Sequence, residues 1–222
     1  MIPELNNLAF EAKLEPIHIL RDKEISPGEY ETRPEEINTA IGQAVTMEQC
    51  DESYVLGLVG NKYKIVQNQE LYGALCTALE SQFSGQLDET ILVERSSGSG
   101  SFSKAELLFP KIGADIRQLI GTKTHLQMKA GFVNTFDGSG KVRMHIGSTD
   151  LWCMNGSVVS ETSKHVQMHR KGFDISKIEE WLEDATYKFW RQIDLWQMWA
   201  NKTINPDQVE CLLNEAGFVG KR

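Results

Sequence analysis

Three observations predict an α+β fold, with a mostly antiparallel sheet of hairpins, a central helix and a long C-terminal helix packed on it. Side chains alternate with period two through several runs between Tyr54 and Ile146, glycine-containing turns separate those runs, and an amphipathic helical stripe follows Ile175.

Residues 1–33 mix Pro3, Pro16, Pro27 and Gly28 with short apolar pieces, and read as an N-terminal arm laid over the body. A helix is expected from Pro34: Thr32 caps it, Glu35 and Glu36 favour its positive end, and Ile37, Ile41 and Val45 recur every four residues. Tyr54–Val59 and Lys62–Val66 flank Gly60-Asn61 and predict a hairpin. Gln67 or Asn68 then caps a helix in which Leu71, Leu75, Ala78, Leu79 and Phe83 keep helical spacing up to Gly85.

Thr90–Arg95 and Phe102–Phe109 read as a second hairpin around the Ser/Gly run 96–101. That run lacks the GK pair and following helix of a phosphate loop, so it reads as a hairpin tip. The central hairpin joins Leu126–Thr135 to Val142–Ile146 through Asp137-Gly138-Ser139-Gly140, where glycine takes positive φ and Asp bonds its own backbone. Its second strand puts Val142, Met144 and Ile146 on one face and Lys141, Arg143 and His145 on the other. A polar turn is expected at Cys153-Met154-Asn155-Gly156.

From Ile178 to Trp196 the stripe Ile178, Trp181, Leu182, Ala185, Phe189, Ile193 and Trp196 predicts the long helix, with Trp190 and Trp199 off it. Asn205-Pro206 starts a last short helix ending near Gly217. The expected organisation is an arm at 1–33, an α+β core domain at 34–203, and a short helix and tail at 204–222.

Charge is unevenly distributed. The net is −8, yet residues 1–60 hold 4 Lys/Arg against 12 Asp/Glu, while Lys104–Lys171 holds 10 against 5 and four of the five histidines. A phosphate backbone needs such a surplus on one face rather than over the whole chain. Cys50, Cys76, Cys153 and Cys211 form no CxxC pair, which argues against a zinc ribbon or disulfide scaffold. The first fifteen residues have no long apolar run and no window has the ~18 apolar residues of a spanning helix, so a cytoplasmic protein without membrane contact is expected.

His165 and His169 would share a helix face at i, i+4 as metal sites require, but no third ligand or HExxH accompanies them. With Lys164, Arg170 and Lys171 beside them they read as a basic contact surface, and no metal or cofactor is expected. There is no legible Ser/His/Asp or Cys/His order and no paired-carboxylate signature, so the expectation is a non-enzymatic protein.

The order YVLGLVGNKYKIVQNQELYGAL, a strand pair, GFVNTFDGSGKVRMHIGSTDLWCMNGSVV, KHVQMHRKG and a long helix resembles a phage/plasmid-like family whose domain is of unknown function. Tyr63–Leu71 resembles its Tyr strand and QN-E helix start, Asn134–Ser139 its N-S-x-D-G-S turn, and Asp150–Asn155 its R-x-V-C-x-N segment. The resemblance spans about residues 50–200, with Asp150 standing in place of Arg and Phe136 inside the turn motif. It implies a phage or mobile-element origin and brings no chemistry. The hairpin-and-helix layout with a basic sheet region is also similar to phage single-strand annealing proteins, which bind DNA as oligomeric rings.

Together these readings predict a homo-oligomeric single-stranded DNA-binding or annealing protein of recombination or replication. Lys104, Lys111, Lys123, Lys129, Lys141, Arg143, Lys164, Arg170 and Lys171 would meet phosphates, and Phe102 or Phe136 would stack on bases. The alternative is an interaction module that binds a host protein, for example an anti-defence inhibitor, through the acidic arm and exposed tryptophans.

Overall fold

The computed structural model describes residues 2–36, 42–49, 52–115, 125–150, 158–202 and 205–215. Among these, the strands are β1 (Ala12–Glu15), β2 (His18–Ser26), β3 (Glu29–Glu36), β4 (Gln43–Gln49), β5 (Glu52–Val59), β6 (Ile91–Ser96), β7 (Phe102–Asp115), β8 (His125–Thr135), β9 (Val142–Asp150) and β10 (Val158–Gln167). The helices are α1 (Asn68–Gln82), α2 (Lys177–Ala200) and α3 (Pro206–Glu215). The α+β class read from the sequence is the class observed.

β6 to β10 form one antiparallel sheet in which each strand pairs with its sequence neighbours, order β10-β9-β8-β7-β6. The predicted turn joins β8 to β9 as expected: Gly138 has φ +74°, and Asp137 Oδ1 accepts bonds from Ser139 N at 2.9 Å and Ser139 Oγ at 2.6 Å. In β7 the register jumps between Phe109 and Gly113, across Pro110, which has no N–H to give to a ladder. Only glycine fits at 113, since a Cβ there would lie 1.9 Å from the Leu126 carbonyl oxygen.

The apolar face of this sheet carries Leu107 and Phe109 of β7, Met128, Ala130 and Phe132 of β8, and Met144 and Ile146 of β9. Against it pack Leu71, Leu75, Ala78 and Leu79 of α1 and Ile178, Leu182, Ala185, Phe189 and Ile193 of α2, the predicted stripes. Gln67 opens α1 with a capping box completed by Glu70, and Asn205 and Gln208 cap α3 reciprocally at 3.1 and 2.9 Å. Trp181 and Trp196 pack against this core, whereas Trp190 keeps an exposed edge; no side chain is described for Trp199.

The N-terminal third departs from expectation. Residues 2–8 do lie on the body, with Ile2 and Leu8 in the main core and the Asn6, Asn7 and Leu8 N–H groups held by the Glu94 carboxylate at 3.1, 3.3 and 3.1 Å. Beyond them the chain forms strands that the interrupted pattern did not predict: β1-β4-β5 make a three-stranded antiparallel sheet and β2-β3 a separate hairpin.

The helix expected from Pro34 does not form. Thr32, Pro34, Glu35 and Glu36 lie in β3 and Val45 lies buried in β4, while Ile37 and Ile41 are outside the described residues. A spacing of four is also two periods of a strand, and β-branched side chains favour the strand. The hairpin expected at 54–66 is corrected as well. β5 pairs with β4, and residues 62–66 run as a turn and extended link whose Lys64 N–H bonds His169 O at 3.1 Å.

The two sheets are tied together at named points. The Gln67 amide exchanges two bonds with the Ala12 backbone of β1, at 3.0 and 2.8 Å. Gly57 of β5 lies against the β8–β9 turn so closely that a Cβ would fall 2.3 Å from Asp137 Cα. A second small core of Ala12, Val45, Leu56, Val59 and Phe136 fills the junction. Among the described residues no helix is long and apolar enough to cross a membrane.

Phe132 and Phe189 are both fully buried in the main core. Truncating Phe132 to Ala is expected to cost about 3–5 kcal/mol, the range for a buried aromatic with its residual cavity. Urea unfolding followed by tryptophan fluorescence measures it.

Candidate nucleic-acid interface

Alternation gives the five-stranded sheet a second face, opposite the helices, and register places its side chains in rows. One row runs Arg95 (β6), Lys104 (β7), Val133 (β8), Arg143 (β9), Val166 (β10). The next runs Val93, Glu106, Gly131, His145, Lys164. Directly paired residues share a face, and neighbouring strands lie about 4.8 Å apart, so each row is a line of side chains crossing the sheet.

Gly131 determines what the second row does. With no side chain on β8 between them, Glu106 and His145 meet over the glycine from two strands apart, Glu106 Oε1 to His145 Nε2 at 3.3 Å. The same oxygen takes Lys129 Nζ at 3.2 Å, and Oε2 takes Lys104 Nζ at 2.8 Å. Lys129 and His145 are each only 5% exposed. Burial works against the Glu106 charge, but bonds from His145 and Lys104 and the charges of Lys129 and Lys104 outweigh it and hold its carboxyl far below the usual carboxylate range.

The predicted phosphate ligands therefore divide. Arg143 stands exposed in the first row with no carboxylate partner among the described residues, and Lys164 is exposed in the second. Lys104 is on the face but paired. Lys129 is on the face but buried in the Glu106 cluster, so it is corrected from a phosphate contact to an internal ion-pair partner: β8 is covered on both sides, and burying an ammonium requires a partner.

Lys111 lies past the β7 bulge, bridged to Glu89 at 3.1 Å, away from the rows. Lys141 is exposed just before β9, and Arg170 and Lys171 are exposed in the turn after β10; Lys123 is outside the described residues. Phe102 is 37% exposed at the start of β7 and available for stacking. Phe136 is not: it is fully buried in the second core, its ring 5.4 Å from that of Phe10, because it continues the inward parity of Phe132 and Asn134.

The histidine pair is also separated. Residues 158–167 are strand, not helix; His165 accepts from Gln167 Nε2 at 2.7 Å and lies 6.0 Å from the Trp181 ring, while His169 stacks on Tyr63 at 4.8 Å. Among the described residues no group of three His, Cys, Asp or Glu could hold a metal. Burial pushes the Cys76 thiol up to about 11, keeping it protonated and unreactive at neutral pH. The polar turn expected at Cys153–Gly156 lies outside the described residues.

Several residues of the resembling motifs have structural duties. Asn134 Nδ2 donates to Val66 O at 2.8 Å and Asn68 Oδ1 at 3.0 Å, and Asn68 Nδ2 donates to Leu8 O at 3.2 Å and Ser103 Oγ at 3.1 Å. Both amides are fully buried. Sequence reading passed over Arg95, Glu106, His145 and Gly131 as site residues; a lone acid alternating with Ala105 and Leu107, and a glycine inside a strand, were the available signals.

The sequence model of a family described as Domain of unknown function (DUF932) matches residues 55–217. No curated protein and no solved structure matches the chain.

Replacing Glu106 by Gln leaves Lys129 and His145 buried without a charge partner, and is expected to cost about 3 kcal/mol at pH 7. The folded-state pKa of Glu106 lies below the unfolded value of about 4.3, so its contribution is complete above that value and fades as pH falls toward the folded pKa. The gap between the denaturant midpoints of the wild type and Glu106→Gln should begin to close below about pH 4 and keep narrowing as the pH is lowered further.

Proposed function

The chain belongs to the Domain of unknown function (DUF932) family, and because that description carries no chemistry we propose from the geometry a non-enzymatic single-stranded DNA-binding and annealing protein. The carrying observation is the row Arg95–Lys104–Arg143, three cations in register across β6 to β9. Among the described side chains on this face only Glu106 is acidic, and of the three cations in the row it is bonded to Lys104 alone.

A flexible strand suits this surface better than a duplex. The row is short, Phe102 offers a ring at one end, and exposed Val166 and Ile91 offer apolar area to unstacked bases. In this reading the protein is cytoplasmic, serves phage or mobile-element recombination or replication, and works as a homo-oligomer that presents the rows of several copies to one strand.

A second reading has an observation of its own. Tyr187, Trp190 and Met198 of α2 are exposed, which suits an interaction module that docks a host protein.

Fluorescence anisotropy of a labelled oligothymidylate, titrated between about 50 and 200 mM salt, tests the proposal. Single-stranded contacts contribute a slope of roughly 0.7 each, so the combined Arg95→Ala, Arg143→Ala variant, which removes the two cations of the row that Glu106 does not hold, should lower the log–log slope by about 1.4. No binding at the lowest salt, or binding that salt does not change, overturns it.

A further inference from the structure

A cavity of about 440 Å³ opens where three segments distant in sequence converge: Leu58–Tyr63 at the end of β5 and just beyond it, the β8–β9 turn at Asp137, Gly138 and Gly140, and Met168–Arg170 after β10. Its size is within the range of small-molecule sites. The back wall is held firmly. Tyr63 and His169 stack with an interplanar angle of 13°, Tyr63 Oη donates to Thr135 O at 2.8 Å, and His169 Nδ1 contacts Lys64 O at 3.3 Å.

The lining is chemically mixed. Exposed Leu58 and Met168 supply apolar surface, Lys62 and Arg170 supply positive charge, and Asp137, whose Oδ1 is engaged by Ser139, supplies a carboxylate with acceptor capacity to spare. Gly140 keeps the turn close to the wall, since a Cβ there would fall 2.7 Å from Thr135 Oγ1. These residues ask for a ligand with a flat apolar body, hydrogen-bond donors on its edge and an anionic group beyond it.

The cavity also lies beside the end of the cation row. Val166 closes that row on β10, Met168 and Arg170 follow in the turn after the strand, and the β8–β9 turn that carries Gly140 leads into β9 just before Arg143. We propose that this cavity binds one nucleoside monophosphate unit, with Leu58 and Met168 against the base, Asp137 accepting from an exocyclic amine, and Lys62 and Arg170 on the phosphate. The unit is either a nucleotide of the bound strand or a free mononucleotide, and the first case rests on the strand-binding reading above.

Calorimetric titration of the full chain with dAMP, dCMP, TMP and adenosine, beside anisotropy with oligodeoxyadenylate, tests this. Saturable dAMP binding with a Kd of about 1 mM or tighter is expected. TMP, which has no exocyclic amine, should bind more weakly than dAMP or dCMP. Arg170→Ala should weaken dAMP about tenfold, the loss of one charge-assisted bond, without changing adenosine. Loss of dAMP binding when oligodeoxyadenylate is saturating identifies the strand as the source, and unchanged dAMP binding identifies free mononucleotide. No saturable dAMP or dCMP binding, or an Arg170→Ala variant that binds dAMP as the wild type does, overturns the cavity assignment even if the oligonucleotide still binds. Binding of dAMP without any oligonucleotide binding leaves the cavity and removes the strand reading.

Discussion

Glu106 reaches across Gly131 to His145 and gathers Lys129 and Lys104 on its way, and the polar face of the sheet is arranged around that carboxylate. The central strand β8 is buried on both sides, apolar toward the helices and charged away from them. A buried ammonium is tolerated only beside an anion, so one acid here permits a lysine in the middle of the sheet. That arrangement uses Glu106 locally and leaves Arg95 and Arg143 in the adjoining row without carboxylate partners among the described residues. The cationic surplus is thus narrower than a lysine count implies, and it lies along one line.

A second buried network holds the frame on which that line sits. Asn68 at the start of α1 and Asn134 near the end of β8 bond each other, the Val66 and Leu8 carbonyls and Ser103 with no water-exposed side. Such amides fix position more than they add stability: displacing either would unpair the donors and acceptors that now meet, and Asn134 Oδ1 already has no partner among the described residues. Together with the Gln67 bonds to β1, they set helix, sheet and N-terminal residues in one register. Two parts of the resembling motifs, Tyr63 and Asp137-Gly138, stand outside this scaffolding and line the cavity instead.

Much of the fold was legible because period two and period 3.6 leave different marks. The runs that became β6 to β9, the DGSG turn and the stripes of α1 and α2 all carried strong local patterns. The N-terminal strands did not. β1 pairs with β4 across about thirty residues of chain, and β2 and β3 are rich in charge, so alternation did not announce them, although Pro27-Gly28, where Gly28 takes φ +83°, makes the turn between β2 and β3. The face of Lys104, Lys129 and Arg143 was readable from parity, but their exposure was not. Alternation says which side a residue takes, while burial of Lys129 depends on partners from three strands. Phe136 was misjudged for the opposite reason: its parity with Phe132 pointed inward, past the nominal end of the strand.

Whether the cation row meets nucleic acid is decided by where a single strand touches the protein. Photocrosslinking of a halogenated-uracil oligonucleotide, followed by peptide mapping, reads this directly. Crosslinks confined to β6, β7, β9 and the segment after β10, with Phe102 among the modified residues, are the predicted result. Crosslinks concentrated on the outer surface of α2, or none above a scrambled-protein background, would contradict it.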